Sequence, residues 1–170
     1  MKKSTKIIIL AVAIILLLII IGAVLTFMGV FKLANKTKTP ITTDNFITTM
    51  ENKEFIVTDT KSTQFASYDY ISKAVLALSS DYSYKIEFYE LTDATYANSF
   101  YASNKALLES SVGNVVKTNI EQNGKNFSRF VLSANGKYST VSRIDNTVVY
   151  VNCDEGSKDA VESILKELGY

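Results

Sequence analysis

Residues 7–31 read IIILAVAIILLLIIIGAVLTFMGVF, twenty-five positions without a charged side chain. Eighteen of them are Ile, Leu, Val or Phe. A helix of that length spans roughly 37 Å, against about 30 Å of hydrocarbon in a bilayer. Each such side chain near the centre favours insertion by about 0.3–0.6 kcal/mol. The run therefore predicts an uncleaved single-pass membrane helix. A secretory signal has a shorter apolar core, about 7–15 residues, followed by a small-x-small cleavage site. The segment FKLANKTK that follows here has no such pattern. No cysteine lies near the end of the run, which excludes a lipoprotein anchor. Gly22, Thr26 and Gly29 would permit close approach of a second helix, but their spacing is not G-x-x-x-G.

Lys2, Lys3 and Lys6 precede the run and Lys32, Lys36 and Lys38 follow it, so flanking charge does not set the orientation. Layout and composition do. A short basic tail before an apolar segment is the arrangement of a signal-anchor. From Asn35 to Tyr170, 42 of 136 residues are Ser, Thr or Asn, and one is Cys. The expected organisation is a cytoplasmic tail over 1–6, a transmembrane helix over 7–31, a linker over 32–41 and an extracytoplasmic domain over 42–170 of a cell-membrane protein. About 130 residues suffice for one domain with a core. From Asn35 onward 14 basic residues face 17 acidic ones, a net charge of −3. That balance argues against nucleic acid or anionic headgroups as the main partner; the bilayer is engaged through 7–31.

Beyond Pro40, the only proline, Thr42 or Thr43 is a plausible helix N-cap, with Phe46, Ile47 and Met50 on one helical face. EFIV at 54–57 suits a strand, and 59–71 shows no period. Ala74, Leu76 and Leu78 alternate with their neighbours, as do Tyr82, Tyr84, Ile86 and Phe88, around a turn at Ser79-Ser80-Asp81. A helix is expected over 93–110, with Ala97, Phe100, Tyr101, Leu107 and Leu108 as its apolar stripe. Asn123-Gly124, Asn135-Gly136 and the weaker Asp145-Asn146 separate strands near 115–121, 126–133, 138–144 and 147–153. A final helix near 157–168 carries Ala160, Val161, Ile164, Leu165 and Leu168 on one face.

SKAVLALSSDYS from Ser72 and SRFVLSANGKYS from Ser128 share five identities in twelve ungapped columns. Both fall on a strand–turn–strand unit that follows a helix and a strand. The fold class expected is α+β: one antiparallel β-sheet domain with about three helices on one face, read as two related helix-plus-hairpin halves. Phe88, Phe130 and Ile164 are core candidates.

The chain has no histidine and one cysteine. The usual general base, Ser-His and Cys-His nucleophile pairs, thiolate clusters and internal disulfides are thereby excluded. No G-x-G-x-x-G, Walker A or Ca²⁺-loop pattern occurs, so no cofactor is expected. Asp154, Glu155 and Asp159 suit a helix N-terminus better than a metal. Cys153 shares the parity of Val149 and Val151 and is expected to be buried and inert. Tyr82 and Tyr84 follow apolar strand parity, and are read as half-buried sheet residues rather than sugar platforms. Glu87, Glu90 and Asp93 are the nearest carboxylate cluster, with Glu87 and Glu90 expected on opposite faces.

The stretches YKIEFYEL, KYSTVSRIDNTVVYVN and ILKELGY resemble a family of small single-pass membrane-anchored proteins of Gram-positive bacteria. The likeness covers most of 42–170. It implies a surface location and a domain without an assigned function, and it carries over no site residue.

If Ala74, Leu76, Ile86, Phe88, Phe130 and Leu132 face the helices, the opposite face carries Lys73, Val75, Lys85, Glu87, Tyr89, Arg129, Val131, Val141 and Arg143. Three helices would leave it open. Its candidate interaction residues are Lys73, Lys85, Tyr89, Arg129 and Arg143, mixing cations and an aromatic in a manner suited to a protein partner at the membrane or cell surface. The function expected is a non-enzymatic, membrane-tethered binding domain. The alternatives are an accessory or sensory subunit of a membrane complex, or a carboxylate-dependent enzyme acting near the membrane.

Overall fold

A computed structural model describes residues 35–113, 115 and 117–170. The expected tail, the membrane helix at 7–31 and the start of the linker lie outside the described residues. No helix among the described residues is long and apolar enough to cross a membrane.

Thr42 is the N-cap of helix α1 (Thr43–Asn52), its Oγ1 accepting from the Asn45 N–H at 3.2 Å. Strand β1 (Ile56–Asp59) follows, then a single-turn helix α2 (Lys61–Gln64) in the stretch that shows no period. β2 (Ile71–Leu78) and β3 (Lys85–Leu91) form a hairpin, and helix α3 (Ala94–Ser111) comes next. β4 (Lys117–Asn123), β5 (Phe127–Ala134), β6 (Lys137–Ile144) and β7 (Thr147–Asp154) then run as a meander, and α4 (Lys158–Glu167) closes the chain. All seven strands join one antiparallel sheet in the order β1-β2-β3-β7-β6-β5-β4. The expected α+β class and single antiparallel sheet are what the structure shows.

The turns explain the register. Asn135 and Gly136 both have positive φ, 53° and 72°, which a two-residue turn of this hand requires. Gly124 does not. A Cβ there would lie 2.0 Å from Phe127 Cε1, so it is glycine because the Phe127 ring packs against its backbone. Tyr82 is a correction: it sits in the turn at φ 61° and is 69% exposed, and β3 begins only at Lys85.

The larger correction concerns the faces. In the β2–β3 ladder Val75 pairs with Phe88 and Ala74 with Tyr89, so Ala74 and Phe88 lie on opposite sides. Phe88 is opposite Val149, Val149 opposite Ser142 and Ser142 opposite Arg129, which puts Arg129 on the Phe88 side and Phe130 on the other. Phe46 and Met50 of α1 and Val161, Ile164 and Leu165 of α4 pack on the first side, with Val75, Ile86, Phe88 and Val151. Ala97, Tyr101 and Leu108 of α3 pack on the second, with Ala74, Tyr89, Phe130, Leu132 and Val148. Helices thus cover both faces. The reason is that the central strands are apolar at both parities: Val148 and Val149 are adjacent and each fully buried.

The echoing segments do share a register, since Ala74 and Phe130 face the same side. The helices before them do not match: α1 lies on one face and α3 on the other, so the two halves have no common helix-plus-hairpin unit.

Candidate functional site

The largest aromatic cluster lies where α3 meets the segment from α2 to β2. Asp59 Oδ1 accepts from the Lys61 N–H at 2.8 Å, starting α2. Lys61 Nζ then donates to the carbonyls of Phe65 and Tyr68, at 2.8 and 3.1 Å, and holds the following loop. The Thr92 N–H donates to the Tyr70 carbonyl at 3.0 Å, tying that loop to the start of α3. Asp93 caps α3, its Oδ1 accepting from the N–H groups of Thr95 and Tyr96 at 2.7 and 2.9 Å. These local devices place Phe65, Tyr68 and Tyr70 opposite Tyr96 and Phe100.

The rings form a continuous series. Tyr70 and Tyr96 stack, with centroids 5.5 Å apart and planes at 15°. Tyr68 meets Tyr70 edge-on at 5.7 Å, and Phe65 meets Tyr68 at 6.0 Å. Tyr89, buried, forms the floor, at 5.4 Å from Phe65 and 4.8 Å from Phe100. Together with Ile71, Ser99, Ser103, Asn104 and Leu107 they line a groove of about 550 Å³. None of its eleven lining residues is charged. Tyr68 and Tyr96 are 44% and 48% exposed, and Leu107 is 65% exposed. This corrects the expected stripe of α3. Its core positions are Ala97, Tyr101 and Leu108, while Tyr96, Phe100 and Leu107 form a second stripe beside it, turned toward the groove.

Tyr89 is fixed from outside the groove, its hydroxyl donating to Glu87 Oε2 at 2.6 Å. Burial, then the Glu87 carboxylate, holds that phenol protonated far above its usual range. Asn104 Nδ2 donates to the Phe100 carbonyl at 2.8 Å. Among the described residues the hydroxyls of Tyr68, Tyr70, Tyr96, Ser99 and Ser103 carry no hydrogen bond to another side chain, which leaves them as donors and acceptors for a ligand.

Of the five residues expected to form one interaction surface, the groove contains Tyr89 alone. Lys85 and Arg143 share its side of the sheet, whereas Lys73 and Arg129 lie on the α1/α4 side. Lys85 pairs with Glu87 at 2.7 Å. Arg143, half-buried, donates to the Asp145 carbonyl at 3.1 Å, and burial lowers its pKa. Arg129 Nη2 holds both oxygens of Glu162, at 2.5 and 2.6 Å. The five do not make a surface, because they divide between the two faces and helices cover the central strands on both.

The carboxylates likewise stand apart. Glu87 serves Tyr89 and Lys85, Glu90 accepts from Thr43 Oγ1 at 2.6 Å on the other face, and Asp93 caps α3. Asp154 pairs with Lys137 at 2.5 Å rather than capping the last helix, and Glu155 pairs with Lys158 at 3.1 Å. Among the described residues no group of three metal-ligating side chains converges.

No sequence signal announced the groove. Phe65, Tyr68 and Tyr70 fall in the stretch without period, Phe100 and Leu107 read as part of the apolar stripe of α3, and Tyr96 lies outside that stripe. No protein-family model, no curated protein and no solved structure matches the chain.

Proposed function

We propose that the chain is a non-enzymatic binding module, tethered to the cell membrane through 7–31 with its domain on the extracytoplasmic side, and that its aromatic groove holds an uncharged, proline-rich segment in polyproline II conformation. The observation that carries this reading is the uninterrupted series of rings lining a groove without a single charge. Ligand sites are characteristically apolar and aromatic hollows of about 300–1,000 Å³ with a few orienting polar groups. A lining without charge favours a neutral occupant.

Three features favour the peptide. Proline rings pack on aromatic faces, and aromatic-lined grooves are the usual receptors for such segments. The polyproline II backbone has no internal hydrogen bonds, so its carbonyls accept from Tyr and Ser hydroxyls. The groove follows α3 from Tyr96 to Leu107, roughly 16 Å, which matches about five residues at 3.1 Å each. A sugar would call for carboxylate or amide groups able to grip adjacent hydroxyls. The lining contains no carboxylate, and its one amide, Asn104, already donates to the Phe100 carbonyl.

The test is fluorescence anisotropy of a labelled, end-blocked ten-residue polyproline peptide with the full chain in detergent micelles. Saturable binding is expected, weakened about tenfold by Tyr68→Ala and by Tyr96→Ala, each with melting unchanged. Binding of neutral oligosaccharides in place of the peptide would overturn the occupant. Equal binding of either probe to wild type and to both Tyr68→Ala and Tyr96→Ala would overturn the groove as the site.

A further inference from the structure

β4 stands at one edge of the sheet, and all seven of its residues are exposed. β5 pairs with it over seven residues without a break in register, and its other side carries no strand. Natural edge strands are blunted by proline, a bulge, a covering element or dense charge. β4 has no proline and no bulge, and its two charged residues, Lys117 and Glu121, are of opposite sign. At its centre Ile120 is 53% exposed.

We infer that a second copy of the chain pairs antiparallel along β4, about a two-fold axis normal to the sheet and midway between the two Ile120 residues, so that two sheets become one. That register sets Ile120 opposite Ile120, Asn119 opposite Glu121, Thr118 opposite Gln122 and Lys117 opposite Asn123. No like charges face each other. Lys117 of each copy lies diagonal to Glu121 of the other on one face, a favourable cross-strand relation, and the two Glu121 carboxylates, diagonal to each other, are each neutralised by Lys105 of their own chain at 2.5 Å. The strand is thus complementary to itself.

The complementarity of β4 to itself about Ile120 selects a second copy over other partners. The Lys38 N–H donates to Asn126 Oδ1 at 2.9 Å, Lys38 Nζ sits 5.2 Å over the Phe127 ring, and Ile41 packs into the α1/α4 core. Residues 38–41 therefore run along the α1/α4 face. An axis normal to the sheet leaves that face on the same side in both copies. Both copies then carry residues 38–41 on the same side of the joined sheet. Pairing of β4 with β1 of another copy would instead be head-to-tail and open-ended, and β1 has four residues. Two paired seven-residue strands bury less than a standard interface, so the contact is weak in solution. Confinement in a bilayer raises the effective concentration and lets it form. The aromatic groove is floored by β2 and β3 and has no β4 residue in its lining, so the pairing takes nothing from it.

The test uses the full chain in liposomes, in a Cys153→Ser background, with single cysteines introduced by Ile120→Cys, Asn119→Cys and, on the opposite edge, Val57→Cys. Mild oxidation and a non-reducing gel read the outcome. A disulfide dimer is expected for Ile120→Cys and not for the other two. Energy transfer between donor- and acceptor-labelled copies is expected to fall to the random-dilution level in Ile120→Glu, with melting unchanged because the side chain is exposed. A dimer band at Asn119 or Val57 without one at Ile120 would overturn the pairing. Energy transfer unaltered by Ile120→Glu would overturn it too, as would the absence of both band and transfer.

Discussion

At the scale of single residues, the domain's most consequential polar contact lies partly buried on the α1/α4 side. Tyr138, fully buried, donates its hydroxyl to Glu162 Oε1, and Arg129 Nη2 grips both oxygens of the same carboxylate. Burial pushes the Glu162 pKa up, but the hydrogen bonds from Tyr138 and Arg129 outweigh it, and the folded-state pKa lies below the ordinary value. A group whose pKa is lowered on folding contributes stability that is present above its unfolded pKa, about 4.3, and lost as the pH falls through the folded value. Urea denaturation of wild type and Glu162→Gln should therefore show wild type more stable above about pH 5. The gap should close progressively as the pH drops below about 4. Cys153 gives a second expectation. It is 5% exposed, and burial, then Asp154 and Glu155, raises its thiol pKa. Since the thiolate is the reactive form, maleimide labelling should be slow in the folded chain and accelerate sharply in urea. Fast labelling without denaturant would place the thiol at the surface.

At the scale of elements, sequence periodicity identified the four long strands of the second half and all three long helices, because each carries its own turn or cap. The closing helix is the clearest case. Gly169, at φ 89°, and Tyr170 complete a Schellman motif: the Tyr170 N–H reaches the Leu165 carbonyl at 2.8 Å and the Gly169 N–H reaches that of Lys166 at 3.2 Å. Tyr170 then turns inward, its hydroxyl 2.5 Å from Thr147 Oγ1. Gly169→Ala should cost about 1–2 kcal/mol, the penalty of a Cβ in the left-handed region, measured by thermal or chemical unfolding. What periodicity could not identify was held together from a distance. The loop after α2 is shaped by Lys61 bonding to backbone carbonyls and by rings from α3 and β3, none of which leaves a period in residues 59–71. The groove was hidden for that reason. Gly124 was legible as a glycine that matters, but the cause, contact with the Phe127 ring, lies in packing rather than turn chemistry.

At the scale of the molecule, the misassigned face shows where parity loses its power. Alternation locates an inside only when one face is wet. Here β3 buries Ile86 and Phe88 on one side and Tyr89 and Leu91 on the other, so both parities read as core. The consequence is two cores separated by a sheet. One is built around the stacked pair Phe46 and Phe88, with centroids 4.7 Å apart. The other is built under α3, around Phe130 and Val148. Two such cores should respond independently to small losses. Ile144 belongs to the first and Ile71 to the second, each 1% exposed. Their strands, β6 and β2, are three positions apart in the sheet, roughly 14 Å at standard strand spacing. Ile144→Val and Ile71→Val should each cost about 0.5–1.5 kcal/mol. The double variant should equal their sum within about 0.5 kcal/mol. Phe46→Leu and Phe88→Leu share one contact and should depart from additivity by more than that. Equilibrium unfolding of the two double-mutant cycles decides the matter. Strong coupling between Ile71 and Ile144 would mean that the sheet transmits strain between its faces and that the domain has, in energetic terms, a single core.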